Sequence, residues 1–368
     1  MCWRKFWRGV LLVGTLGWLW GPSVGVAHAM PIVHQRSSGL IATRTRLLND
    51  YRVKTWSQPR HYRHAKHLHN LNVIKRAQGR AVTFKTAYLL PNPGYRHQAW
   101  GNPQGMALVG RYLYVVYCPT AWKNRGRIVR FDRTKLAALK ATPRQLQRAY
   151  TKAAKHSHQE AAIRRAIKVG PAFITGHGQS LAYNWKDHHL YMWCDRESAP
   201  RVPTNQYGYI NRISARSLRP NHQIRFRLRS RHLAVPGGHV LAFDKQGRAY
   251  FWTRPSAHRV NLYQGKITLH HVSFRLTHQV LRHSPGPRVQ NIGYNLHNGR
   301  LYLVSDDSVA SLPVKSLRGH GHLTGKRVRW TGFTPRREFE ALAFTPNGRA
   351  YLMSNHNPEI LKSTGTKW

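Results

Sequence analysis

From about residue 100 to its end the chain repeats itself, and a repeat of this length leaves few folds open. Five blocks each open on a polar residue, run through a short apolar stretch, turn, and resume in a second apolar stretch that carries Tyr. They begin at Gln104, Gln179, His239, Gln290 and Glu340, at intervals of 75, 60, 51 and 50 residues. Tyr114, Tyr191, Tyr250, Tyr302 and Tyr351 fall at the equivalent place in the second stretch. The turns of the last four blocks centre on Lys186-Asp187, Gln246-Gly247, Asn298-Gly299 and Asn347-Gly348, which suit tight hairpins. A third strand follows within blocks, as at Gly126, Gly208 and Ser308. A fourth usually follows that, as at Gln223, Ile267 and Arg327.

Four strands repeated at this spacing predict an all-β chain, a β-propeller in which each block is one blade. A single blade would leave both faces and its edges to water, whereas stacking in a ring buries the faces. The count of blocks gives five blades. Six is the alternative, with a degenerate blade hidden upstream. The last block lacks an obvious fourth strand, and a lone strand begins at Ala81, so the expected closure pairs that strand with the block begun at Glu340. The propeller is assigned to residues 81–368, with a helical insertion in its first blade over 134–168. In that insertion Thr142-Pro143 reads as a cap followed by Pro at the first helical position. Arg144, Arg148, Lys152 and Lys155 then fall on one helical face, opposite Leu146, Tyr150 and Ala153. The cationic face is a candidate contact for an anionic polymer or lipid headgroups.

Upstream lie two further segments. Residues 1–29 have the parts of an export signal: Arg4, Lys5 and Arg8, an apolar run from Val10 to Trp20, and Ala27-His28-Ala29 as a cleavage site. The protein is therefore expected to be secreted, extracellular or held at the cell surface by charge. Residues 30–80 hold eleven Lys and Arg, one acid (Asp50), and His34, His61, His64, His67 and His69. Without sustained apolar periodicity they read as a basic, His-rich, mostly disordered arm. No metal is assigned to its histidines.

Charge sets the expected partners. The chain has 60 Lys and Arg against 12 Asp and Glu, a formal +48. With 41% hydrophobic residues it is no disordered polycation, and three Cys exclude a disulfide-dense scaffold. An anionic cell-wall polymer, an acidic polysaccharide or an anionic membrane surface fits the charge and the address, with the chain acting as a monomer. No nucleic-acid motif is present, and specific nucleic-acid binding is not expected.

Propeller geometry then locates a site. The residues opening the innermost strands, Gln104, Gln179, His239, Gln290 and Glu340, should converge at one end of the ring. Loops carrying Asp195, Glu197, Asp306 and Asp307 should join them there. This set is a candidate ligand-binding funnel. It needs no cofactor, although its carboxylates suit Ca²⁺. No catalytic residue is assigned. Were the funnel an enzyme site, a polysaccharide lyase or hydrolase would draw on Glu340, His239, Asp195 and Asp306. Cys118 and Cys194 leave equivalent strands of adjacent blades, and a disulfide between them is left open.

The polar-Ala/Gly-apolar-Ala-Phe/Tyr openings and the Asn-Gly-Arg-Ala/Leu-Tyr second strands resemble extracellular members of the NHL and quinoprotein-like β-propellers. That resemblance implies the fold over residues 100–365 and no particular chemistry. The stretches from Gln290 and from Glu340 also resemble the helveticin J-type class III bacteriocins of lactic acid bacteria and their relatives. That family implies a secreted protein with antibacterial activity in some members. The extreme charge and the His-rich arm depart from it, and it carries over no site residue.

Overall fold

The structure is a computed structural model that describes residues 30–63, 72–91, 101–195, 197–199, 202–203, 207–231, 233–235 and 240–368. The export-signal segment therefore lies outside the described residues. Each repeat block forms an antiparallel meander. In the first, Asn102–Val109, Tyr112–Cys118 and Arg125–Asp132 pair in order, and Ile167–Val169 and Phe173–Ile174 share the outer edge. The second runs Ala182–Asn184, His189–Trp193, Tyr207–Ile213, Pro220–Arg227. The third runs Ala242–Phe243, Ala249–Ser256, Arg259–Ile267, Val272–Leu276. The fourth runs Asn291–Asn295, Arg300–Ser305, Ser308–Pro313, Arg329–Phe333. The last holds Phe339–Phe344, Ala350–Ser354 and Glu359–Ser363.

These sheets form a β-propeller. Their innermost strands touch in cyclic order, the fifth returning to the first. A narrow channel of about 50 Å³ runs between them, walled by Met106–Leu108, Leu181–Tyr183, Leu241–Phe243, Ile292–Tyr294 and Leu342–Phe344. The ring closes as the sequence implies: Thr83–Leu89 pairs antiparallel with Glu359–Ser363 and supplies the missing fourth strand.

The repeated Tyr has a packing reason. Across the inner hairpin it faces a small residue every time: Ala107–Tyr114, Ala182–Tyr191, Ala242–Tyr250, Gly293–Tyr302 and Ala343–Tyr351. Strands crowd together near the axis, so small side chains sit there and rings fill the widening wedge behind. At Gly293 a Cβ would lie 2.5 Å from the Leu342 carbonyl oxygen of the neighbouring blade. Between the second and third blades Trp193 packs on Phe226, Phe251 and Phe274, with centroids 5.2–5.7 Å apart. Each such buried ring is worth roughly 1.5–3 kcal/mol.

The arm corrects one expectation: its described part is ordered and forms a belt. Ile32–Ser38 adds in parallel to Pro220–Arg227, and Leu40–Ile41 adds in parallel to Val272–Leu276. Arg46–Leu48 pairs in parallel with Gln279–Leu281. Val73–Gly79 pairs with Arg329–Phe333 on one side and Thr83–Leu89 on the other, fusing the last two blades into one nine-stranded sheet. Composition missed this because the pairing is made by backbone. Outer blade edges present open N–H and C=O groups, and any extended segment can satisfy them. Asp50, the arm's one acid, accepts from the Arg282 and His283 N–H groups and pins the belt between strands.

The helical insertion is also reshaped. It forms Arg133–Ala138, Pro143–Arg148 and His158–Arg165. Thr142 and Gln145 make a capping box, as the Thr-Pro signal suggests. However, the helix stops after Arg148, where Thr151 Oγ1 donates back to the Arg148 carbonyl at 2.9 Å. Lys152–Ala154 is a separate 3₁₀ turn. Arg144 and Arg148 are half-buried, Lys152 and Lys155 are exposed, and Ala154 rather than Ala153 turns inward. The four cations therefore share no single helical face. Leu146 and Tyr150 are buried as expected.

Candidate functional site

The opening residues of the inner strands meet at one end of the channel. Gln179 Nε2 donates to Gln290 Oε1 at 2.7 Å, and Gln290 Nε2 donates to Asp306 Oδ1 at 2.7 Å. Gln104 Nε2 and Asn355 Nδ2 both approach Glu340 Oε1 at 3.4 Å. All of these side chains are buried. The structure thus brings Gln104 to Glu340, and Gln179 and Gln290 to Asp306. Asp307 adjoins them in the turn after Arg300–Ser305, at φ 52°, and its Oδ1 accepts from the Arg337 N–H at 2.9 Å. Asp is among the few residues that tolerate this left-handed backbone.

Asp195 follows the second strand of the second blade. It is buried beside Cys194, where its Oδ1 accepts from the Tyr209 N–H at 3.0 Å. Glu197 lies in the short strand Glu197–Ala199. His239 lies outside the described residues, as do His64, His67 and His69. Among the described residues no group of three or more His, Cys, Asp or Glu is arranged to hold a metal ion, which leaves the Ca²⁺ expectation without a ligand set there. No disulfide joins Cys118 and Cys194. Burial first, and then the Asp195 charge, push the Cys194 thiol well up, which keeps it protonated and unreactive.

Four contributors escaped the sequence reading. The Glu338 carboxylate lies 3.1 Å from His356 Nε2. Tyr62, from the arm, stacks on His356 at 4.8 Å and donates its hydroxyl to Asp306 Oδ2 at 2.7 Å. Gln58 Nε2 donates to the Tyr62 hydroxyl at 2.8 Å, and Arg288 Nε donates to Gln58 Oε1 at 2.8 Å. The arm therefore plugs this end of the ring. Glu338 was the legible one, since it sits two residues before Glu340 on an acid-poor chain. Nothing local marks Tyr62, whose partner lies 244 positions away.

Crowded carboxylates in a buried place hold their protons. Burial first, and then Asp306, push Glu338 up to about 7. Burial pushes Asp307 up to about 7, with Asp306 adding to it. Burial and the Glu338 and Asp306 charges drive Glu340 well up. Among the described residues Glu340 Oε2 and Gln104 Oε1 are buried and find no hydrogen-bond partner. The end of the ring can thus exchange protons near neutral pH, with Glu338 and His356 at its rim.

No family model matches the chain, and no curated protein matches it. Among solved structures, it is similar to a glucose dehydrogenase at 11% identity, over 78% of this chain and 93% of that one, with a TM-score of 0.38. It is also similar to the soluble aldose sugar dehydrogenase of Escherichia coli at 11% identity, over 81% and 99% of the two chains, with a TM-score of 0.38. A luciferin-regenerating enzyme is similar at 12% identity, over 80% and 96%, with a TM-score of 0.39. Likenesses this distant carry neither a shared site nor a shared chemistry. The bacteriocin resemblance gains no support from them.

Proposed function

We propose that the protein is exported and holds an anionic polymer of the cell envelope against its outer surface, acting as a monomer. The observation that carries this is the radial sorting of charge. Among the described residues nine acids are buried: Asp50, Asp132, Glu160, Asp195, Asp244, Asp306, Asp307, Glu340 and Glu359. Among the described residues only Arg300 and Arg337 are buried cations. The acids therefore do little to offset the field outside, and the surface is more cationic than net charge alone implies. The test is retention of the mature chain on isolated envelopes. Strong retention at low salt with steep release as salt rises is expected. Retention unchanged at about 1 M salt, where the screening length is roughly 3 Å, overturns the reading. Anionic lipid and acidic polysaccharide are the competing ligands to compare in the same assay.

One observation favours a second reading, an enzyme at the plugged end of the ring. Glu338 and Asp307 are pushed to about 7, the range a general acid or base needs, and His356 adjoins Glu338. Turnover of an acidic polysaccharide, abolished in Glu338→Gln with envelope retention intact, is its expected result. A wild-type chain that cleaves no polysaccharide or ester rules it out. Tyr62, seated on Asp306, counts against open access.

A further inference from the structure

The belt and the fourth blade flank an open cavity of about 510 Å³, away from the axial site. Its lining comes from three pieces of chain. Tyr51, Arg52 and Lys54 come from the middle of the arm, Gln78, Gly79 and Arg80 from the hairpin at its end, and Val328, Arg329 and Trp330 from the start of the blade's outermost strand. The hairpin is fixed tightly: Arg80 N–H donates to the Trp330 carbonyl at 2.8 Å. At Gly79, with φ 80°, a Cβ would lie 2.2 Å from that same oxygen. Four cations, Arg52, Lys54, Arg80 and Arg329, thus surround one concavity, and no lining residue is acidic. Asp50, next in the chain, is fully buried and turned onto the Arg282 and His283 N–H groups.

A second observation points the same way. Behind the cavity Arg300 is buried, and its guanidinium donates only to neutral oxygens: Ser311 Oγ at 3.1 Å, the Ser311 carbonyl at 2.7 Å and the Arg327 carbonyl at 2.8 Å. Burial first, and then the Arg329 charge, with Arg80 adding to it, pull Arg300 below its ordinary value, against a smaller opposing effect of Tyr302. Like charges held this close without a carboxylate are what a bound anion would relieve.

We infer that this cavity is a binding site for a phosphodiester chain, seated between Arg52, Lys54, Arg80 and Arg329 with its backbone against the exposed Tyr51 ring. Arg forks match phosphate oxygens, and Lys adds a point charge. A phosphodiester chain carries a charge every few backbone atoms, whereas a uronate polymer carries at most one per sugar ring. Four cations in so small a space match the denser of the two. The inference rests on the envelope-polymer reading and assigns it a discrete site.

The test titrates the mature chain with a short soluble glycerol phosphate oligomer by calorimetry, and with phosphatidylglycerol vesicles by sedimentation. Arg80→Gln with Arg329→Gln is compared with Arg216→Gln with Arg219→Gln, which removes equal charge from the second blade. All four side chains are exposed, and circular dichroism checks that both variants fold. The cavity variant should lose at least about tenfold in oligomer affinity, and the second-blade variant less than about threefold. Cavity-dependent binding of vesicles alone places the phosphodiester in a lipid headgroup and keeps the site. Equal losses in the two variants overturn the site and leave the envelope reading standing. Failure of the wild-type chain to bind oligomer and vesicles while envelopes retain it also overturns the site. Failure on envelopes as well overturns both.

Discussion

Glu338→Gln should stabilise the fold above neutral pH and leave it unchanged in acid. Burial and Asp306 raise Glu338 from 4.5 to about 7. Between these values the folded chain keeps a proton that the unfolded chain has lost. Folded stability therefore falls as pH rises through that window, and the full cost is present above about pH 7. The displacement corresponds to about 3 kcal/mol. Gln is an uncharged near-isostere and removes that cost. It also gives up the 3.1 Å pair with His356, whose side chain is 36% exposed. A pair so placed is worth about 0–1 kcal/mol, and less once the imidazole is neutral. The net expectation is a gain of about 2 kcal/mol at pH 8 and about zero at pH 4. Urea denaturation at pH 4, 6 and 8 reads it as a midpoint difference that grows with pH. A difference of the same size at all three values, or a variant weaker than wild type at pH 8, would show that Glu338 carries no ionisation cost.

Other substitutions probe the plug, the axis and the buried ion pair. Tyr62→Phe removes the hydroxyl that donates to Asp306 and should cost about 1–3 kcal/mol; proteolysis of residues 56–63 should quicken. Gly293→Ala puts a methyl against the Leu342 carbonyl and should cost about 1–3 kcal/mol of stability, read as a lower urea midpoint, whereas Ala343→Gly should leave no such clash. Arg337 Nη1 meets Glu359 Oε2 at 2.7 Å with both side chains buried. Arg337→Met leaves that carboxylate unpaired and should cost about 3–5 kcal/mol, a loss that Glu359→Gln in the same chain partly restores.

The ring was legible because its signals are periodic and local. Tyr at one place per block, a small residue opposite it and a tight turn between them, carrying Gly in every block but the second, fix each inner hairpin. The strand begun near Ala81 was legible as the missing fourth strand because a ring must close. The axial cluster followed from the repeat as far as Gln104, Gln179, Gln290, Glu340 and Asp306. Asp195 accepts from the Tyr209 N–H within its own blade, a contact the repeat does not announce. The belt was illegible for a different reason. Ile32–Ser38 carries Arg and His outward, so its composition is that of a solvated tail, while its pairing with Pro220–Arg227 is made by main-chain groups that have no composition. Tyr62 could not be read at all, because its role depends on where that belt delivers it.

Closure of the ring by Thr83–Leu89 also governs how the molecule can be made. Leu89 pairs with Glu359, so a strand synthesised early must wait for one of the last before its sheet is complete. Contacts this remote in sequence are paid for in loop entropy before they return anything, which makes the closing step slow. A chain that stops before residue 359 leaves Thr83–Leu89 paired only with Val73–Gly79, one edge open to any neighbouring strand. Truncated products should therefore aggregate rather than persist as smaller rings, and completion of the C-terminus becomes the step that decides solubility.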